Sequence, residues 1–321
     1  MLVRSIGQAF GKVILLGEHA VVHGVPALAV AIDRGARATA TPLAPDGPSR
    51  LLVRGWEIAV REDDPSHDLA RGLRALLEAA RRDDPDVGAF TVEVEADLPP
   101  GGGLGCSAAM GVAIARALAP LASEDMVQTR AMAWERIFHG NPSGVDSAIS
   151  ARGGCICFHR GAALEPVRMR GSLDLVVGHT GVVSSTRAMV ESVARLVDRK
   201  PGLAAKAFDG VRSLVANARL ALEAGDRVAL GRLMDLNQMI LAGLFVSTPE
   251  IERLCATARD AGALGAKLTG AGGGGSVVAL VPSQAIAETV LRAWKSDGFD
   301  GFAARVAGEA RGHALESEAA P

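Results

Sequence analysis

Asp97-Leu98-Pro99-Pro100-Gly101-Gly102-Gly103-Leu104-Gly105-Cys106-Ser107-Ala108-Ala109 is the stretch on which the rest of the chain turns. Just before it, Phe90-Thr91-Val92-Glu93-Val94-Glu95-Ala96 alternates in the manner of a half-buried strand. Behind it, Ala108 to Leu118 is apolar nearly all round, the pattern of a helix enclosed in a core. A strand therefore enters a glycine-rich turn that opens a helix. The first turn of a helix carries unpaired N–H groups and the positive end of the macrodipole, and glycine lets an anion come close to the backbone. Those are the physical ingredients of a phosphate site. A purely structural turn fits the same residues equally well.

Two common nucleotide-binding patterns do not account for this stretch. Gly103-Leu104-Gly105-Cys106-Ser107-Ala108 satisfies the loose dinucleotide pattern G-x-G-x-x-G/A. The strand before it, however, alternates through Glu93 and Glu95, whereas the first strand of a dinucleotide fold is a continuous apolar run. The chain contains no G-x-x-x-x-G-K-[ST] stretch. A nucleotide held here is held in another way.

The bulk properties narrow the field. A chain of 321 residues is long enough for two domains with their own cores, and 49% hydrophobic with 22% charged residues is ordinary for a soluble protein. The formal net charge of −2 gives no electrostatic attraction to nucleic acid or to an anionic membrane, so neither is expected as a partner. No apolar run approaches the roughly 18–20 residues of a spanning helix. The N-terminus lacks a basic-then-apolar leader, and the expected location is cytoplasmic. Cys155 and Cys157 form a C-x-C inside an apolar stretch, which with Cys106 and Cys255 reads as buried free thiols. There is no tyrosine, so phenol chemistry is excluded, and the seven histidines contain no H-x-x-x-H pair on a helix, since His19 and His23, which have that spacing, fall in a stretch that reads as a loop.

Along the chain, Val13 to Leu16 and Ala27 to Ile32 read as strands around the loop Gly17-Glu18-His19-Ala20-Val21-Val22-His23-Gly24. Lys12, Glu18 and His19 are polar residues in a very apolar setting, though Lys12 also fits a solvated strand end with Glu18 as its exposed partner. Ala36 to Thr41 and Leu51 to Val60 read as further strands. Asp68 to Arg82 is an amphipathic helix with Leu69, Leu73, Leu76 and Leu77 on one face. A second helix, capped by Ser123, runs to about Phe138 and carries Glu135 among apolar neighbours. Asn141-Pro142 marks a turn, and Ser143-x-x-Asp146 has the spacing of a capping box, so Asp146 reads first as a helix cap. Cys155 to His159 is a strand, and the polar connection Gly161 to Gly171 divides the chain into domains 1–168 and 169–321. Strand 173–177 then ends at His179-Thr180-Gly181, and helices follow near 186–198, 203–224, 226–244 and 249–261. Lys267-Leu268-Thr269-Gly270-Ala271-Gly272-Gly273-Gly274-Gly275-Ser276 leads into strand 277–281. Helix, glycines, strand is the reverse of a dinucleotide entry. A helix near 284–296 and a strand at 302–306 close the fold, and the tail after Gly308 reads as frayed.

Three of these segments, in this order, resemble the GHMP kinases: Lys12 to Gly24, Pro99 to Ala109, and Lys267 to Ser276. The strings Gly17 to Gly24 and Glu135 to Asp146 are most similar to the members of that family that phosphorylate mevalonate. The resemblance runs from about residue 8 to residue 281. It implies an α+β, two-domain GHMP kinase fold, with a ribosomal-protein-S5-domain-2-like N-terminal domain and a ferredoxin-like C-terminal domain. It further implies ATP and Mg2+ as cofactors and transfer of phosphate to the C5 primary hydroxyl of (R)-mevalonate. By match to the family, Pro99, Gly101, Gly102, Gly103, Leu104, Gly105, Cys106, Ser107 and Ala108 hold the nucleotide phosphates, and Ser107 and Glu135 ligate the metal. Asp146 and Lys12 are the expected catalytic pair; these two with Glu18, His19, Thr180, Gly270 and Ala271 are expected around the acceptor. Mevalonate is the expected small-molecule partner, and a homodimer stays open as an assembly state. The alternatives are a family member acting on homoserine or a sugar, and a non-catalytic sensor on the same fold.

One residue departs from the family pattern. Cys106 stands where a serine is common, while Ser107 is kept. A thiol at a helix N-terminus is expected to have a lowered pKa. Cys106 is therefore expected to react with alkylating agents and to be protected by MgATP.

Overall fold

The computed structural model describes residues 4–43, 47–139, 144–162 and 164–306. Its first half is built on β1 (Ser5–Leu16) and β2 (Ala27–Pro42), which pair antiparallel with Lys12 opposite Ala31. The two strands expected at 27–32 and 36–41 are one long strand. The intervening Asp33-Arg34-Gly35 is absorbed by a register shift at Phe10/Gly11, a bulge that bends the ladder without ending it. Conversely, the single strand expected at 51–60 is a hairpin of β3 (Arg50–Arg54) and β4 (Ile58–Arg61), turned by Gly55 and Glu57 at φ 80° and 53°.

Helix α1 (Asp68–Asp83) leads to β5 (Phe90–Ala96) and α2 (Cys106–Leu118); then come α3 (Glu124–His139), α4 (Val145–Arg152), β6 (Cys155–Phe158) and β7 (Glu165–Pro166). The strands form a seven-stranded sheet of order β4-β3-β5-β2-β6-β7, with β1 on β2 outside that path. The β3–β5 pairing is parallel and the others are antiparallel. Helix α2 buries nearly its whole circumference, as its composition requires. Its Gly111 lies flat under Trp134 of α3, where a Cβ would come within 2.6 Å of the indole. That close approach lets Trp134 Nε1 donate to the Ser107 carbonyl at 3.0 Å, fixing α3 against the start of α2.

Between β7 and β8 (Asp174–His179) the chain passes to a second sheet. There follow α5 (Thr186–Arg199), α6 (Pro201–Ala224), α7 (Arg227–Gly243), α8 (Pro249–Asp260), β9 (Gly265–Thr269), β10 (Ser276–Val281), α9 (Gln284–Ser296) and β11 (Asp300–Arg305). Strands β8 to β11 form an antiparallel sheet of order β11-β8-β10-β9. The helix starts are encoded locally. Ser185, Asp226, Thr248 and Ser283 each accept an N–H of the first turn, and Pro201 and Pro249 stand just inside their helices. Strand β9 was not expected, because the lysine at its centre reads as a loop residue. Lys267 is nevertheless buried, its charge met inside the protein by Glu18. Among the described residues, no helix is long and apolar enough to cross a membrane.

The capping box expected at Ser143 falls partly outside the described residues. The N-cap of α4 is Gly144 at φ 80°, so Asp146 lies in the first turn of the helix and does not cap it.

Candidate active site

A cavity of about 380 Å³ opens where the starts of α2 and α4, the ends of β1 and α3, and the loop between β9 and β10 converge. Its roof is the glycine loop. Gly101, Gly103 and Gly105 all take positive φ (72°, 74° and 74°), which turns successive backbone groups inward. The loop is held from outside: Lys12 N donates to the Leu104 carbonyl at 2.9 Å, and Ser276 Oγ to the Gly102 carbonyl at 2.8 Å. Gly105 is the N-cap of α2 and offers no side chain to the first turn. The start of α2, with no side chain capping it, thus borders the cavity at the positive end of the helix, the setting that suits a polyphosphate. A Cβ on Gly105 would meet Lys12 Cγ at 2.9 Å, so the loop and the lysine demand glycine there. Pro99 does not line the cavity; its carbonyl accepts from Gly102 N at 3.3 Å and closes the turn.

Beneath the loop lie two pairs of side chains. Ser107 Oγ donates to Glu135 Oε1 at 2.6 Å. The Glu135 carboxyl is buried, which pushes its pKa up; the Ser107 hydrogen bond and His139, at 3.8 Å, pull the other way, and Asp146 adds to the rise. Lys12 also lowers it, but neither cation is hydrogen-bonded to the carboxylate, and a buried carboxylate beside a hydroxyl fits a hard cation, which would take its other ligands from phosphate and water. The second pair is Lys12 Nζ with Asp146 Oδ1 at 3.3 Å. The Lys12 side chain is 7% exposed and that of Asp146 42%, so the carboxylate is the accessible member of the pair.

The acceptor side departs from expectation in two places. His19 lines the cavity at φ 61°, its Nε2 2.8 Å from the Ala271 carbonyl. Since a carbonyl only accepts, Nε2 carries the proton, and burial holds the ring neutral. Gly270 and Ala271 line the same wall. Glu18 borders the cavity, but its carboxylate is already committed: Oε1 pairs with Lys267 and Oε2 accepts from Asn237 Nδ2 at 3.2 Å. Thr180 does not line the cavity, because its hydroxyl is bound to Gly275 O at 3.1 Å and accepts from Val182 N at 3.2 Å. Ser184 and Thr186 line it instead, and Ile14, Val21, Val22 and Val190 add an apolar wall. The sequence reading missed these, since nothing local separates them from ordinary loop and helix residues.

Cys106 also corrects an expectation. The helix start would lower a thiol pKa, yet this side chain turns into the apolar interior with Sγ 3.7 Å from the Leu98 carbonyl, and burial pushes it up to about 11. Desolvation therefore outweighs the dipole. In the folded protein at neutral pH, iodoacetamide should label Cys106 far more slowly than in urea-unfolded protein, with or without MgATP, as read by peptide mass spectrometry. Rapid labelling of the native chain at Cys106 would contradict this placement.

A glycine loop and an uncapped helix start over a serine–glutamate pair, with a lysine–aspartate pair opening on the same space, define a phosphotransferase for small hydroxyl compounds. The chain belongs to the GHMP kinase family: the GHMP kinases N terminal domain matches residues 69–154 and the GHMP kinases C terminal region residues 218–300. Its fold is the two-domain, α+β fold of that family. It is 38% identical over 291 residues to the mevalonate kinase of Aeropyrum pernix, with 85% of this chain and 87% of the relative covered. To the mevalonate kinase of Methanothermobacter thermautotrophicus it is 34% identical over 300 residues, covering 91% and 96%. Among solved structures, it superposes on L. major mevalonate kinase in complex with R-mevalonate with a TM-score of 0.80 at 30% identity, covering 96% of both chains. The Methanococcus jannaschii mevalonate kinase shares the fold, with a TM-score of 0.81 at 22% identity.

Proposed function

We propose that the protein transfers the γ-phosphoryl group of ATP to the C5 primary hydroxyl of (R)-mevalonate, giving 5-phosphomevalonate and ADP. The observation that carries this reading is the pair Lys12–Asp146 and the pair Ser107–Glu135 bordering one cavity beneath the glycine loop. The relatives named mevalonate kinase support the choice of acceptor, as does one solved with R-mevalonate. The cavity itself is consistent with it. Ile14, Val21, Val22 and Val190 suit the methyl and methylene groups of a branched acid, and neutral His19 keeps Nδ1 as an acceptor for a hydroxyl. A sugar would leave that apolar wall against hydroxyls.

In this reading the amides of Gly103 to Ser107 hold the phosphates, the Gly102 N–H being bound to the Pro99 carbonyl, and orient the terminal one toward the acceptor. Asp146 accepts the proton of the attacking hydroxyl. Lys12, paired with that carboxylate at 3.3 Å, orients it and stabilises the negative charge growing on the acceptor oxygen. Ser107 and Glu135 would hold Mg2+, which when bound offsets the charge of the phosphates. Domain 1–168 supplies the donor loop and both acidic groups, and domain 169–321 supplies the wall around Gly270 and Ala271. A cytoplasmic site of action and a small-molecule partner accord with the charge and the composition.

Coupled ADP-release assays with mevalonate, homoserine and galactose test the reading. Mevalonate should be preferred in kcat/KM by at least about 10²-fold, and omission of Mg2+ should abolish turnover. A preference for homoserine or galactose would move the protein elsewhere in the family, and no turnover of any alcohol would favour a sensor.

A further inference from the structure

We infer that Glu18, Lys267 and Asn237 form a buried strut between the two halves of the protein that positions His19 against the acceptor, so that Glu18 acts through its neighbour and is not itself a ligand. The inference rests on the acceptor pocket proposed above.

The strut begins with an unusual burial. Lys267 and Glu18 are 0% and 1% exposed, yet one sits on β9 of the second sheet and the other on the loop after β1 of the first. The Lys267 ammonium reaches Glu18 Oε1, the Leu268 carbonyl of its own strand, and the Ile14 carbonyl of β1 at 3.4 Å. Its three protons are thus divided between the two halves. Asn237 of α7 donates to the other Glu18 oxygen at 3.2 Å, and the adjacent Gln238 Oε1 accepts from Leu268 N at 2.9 Å. Helix α7 therefore holds both the loop and β9.

What the strut supports is the next residue. His19 combines φ 61° with ψ −49°, outside even the left-handed helical well, a conformation that costs a side-chain-bearing residue free energy and persists only where the surroundings impose it. From the far side, its Nε2 is bound to the Ala271 carbonyl, four residues beyond Lys267 on the same connection. Glu18–Lys267 and His19–Ala271 make a closed circuit of two cross-links between two short segments. The ion pair fixes the backbone on either side, and the hydrogen bond then aims the imidazole. A buried ion pair adds little net stability compared with apolar residues of the same size. Positioning explains its presence better than stabilisation does.

The test uses the full chain carrying Glu18→Gln with Lys267→Met, which removes both charges together, and separately Asn237→Ala, which keeps both. Steady-state kinetics are measured with the alcohol that the unsubstituted enzyme turns over, and His19 is followed by imidazole ¹H–¹⁵N NMR. The double variant should raise the acceptor KM by about 10- to 100-fold with the ATP KM within about twofold, as expected for a group displaced by around 1 Å. Asn237→Ala should move the same constant by about 3- to 10-fold, the scale of one lost hydrogen bond. His19 should show a single Nε2–H tautomer in the parent protein and an averaged signal in both variants. An unchanged acceptor KM and an unchanged His19 signal would overturn the inference, and so would equal rises in both KM values. If the double variant does not fold, Asn237→Ala decides. If the parent protein does not phosphorylate mevalonate, the proposed function fails on its own, while the His19 spectrum still tests the strut.

Discussion

Replacing Asp146 by Asn lowers kcat by about 10²- to 10⁴-fold, the range for a positioned proton acceptor, while leaving the fold and the ATP KM close to those of the parent. The reason lies in how the residue is held. Asp146 stands in the first turn of α4, its side chain 42% exposed toward the cavity, so removing its charge leaves no hole in a core. Asn keeps the size but cannot take a proton. Lys12 loses its partner at 3.3 Å, yet stays near the Leu104 carbonyl through its own backbone N–H. Lys12→Met should cost a comparable factor, because the lysine both orients the carboxylate and offsets the developing charge. The two substitutions together should cost much less than the product of the single losses, since each disables the same step. Single-turnover measurements separate this from slow product release. Near-normal kcat in Asp146→Asn would remove the residue from the mechanism.

The elements that carry this chemistry differ in how far they could be read from sequence. The strand, glycine loop and helix from Phe90 to Leu118 were legible because alternation, positive-φ glycines and an apolar helix are local signals. The pairings were not local. Ser107 meets Glu135 across 28 positions, and Lys267 meets Glu18 across 249. Only resemblance to a family singled out Glu135 and Asp146, and no feature of the sequence announced that Lys267 would be enclosed. Strand β9 was missed for that reason: a lysine is read as solvated until its counter-charge is found. Glu18 and Thr180 were expected at the acceptor, but sequence does not show which way a side chain is already engaged. The Cys106 thiol makes the same point, because helix position gave the direction of one effect and burial reversed it. The bulge that joins two expected strands into β2 is likewise a cross-strand event, set by β1 as much as by Asp33-Arg34-Gly35.

Lys267→Met alone should destabilise the protein by about 3–5 kcal/mol, well beyond the cost of removing both charges at once. Methionine fills much of the lysine volume, so the loss is electrostatic: Glu18 remains buried with Asn237 as its remaining side-chain donor. Burial already pushes the Glu18 carboxyl above its ordinary value of 4.5, opposed chiefly by Lys267, and without that ammonium the rise is larger. The sign of the pH dependence follows. A carboxyl whose native pKa lies above its unfolded value binds more protons in the folded state between the two, so stability falls as pH rises through that window. The variant should therefore unfold at a higher temperature near pH 5 than near pH 8, with the decline beginning above about 4.5. Adding Glu18→Gln should restore most of the stability and remove this pH dependence, because the neutral amide has no charge to desolvate. Calorimetric melting of the two variants across that pH range checks both statements. A Lys267→Met protein as stable at pH 8 as its Glu18→Gln derivative would show that the buried carboxylate has found another partner, and that the pair does not hold the two halves in register.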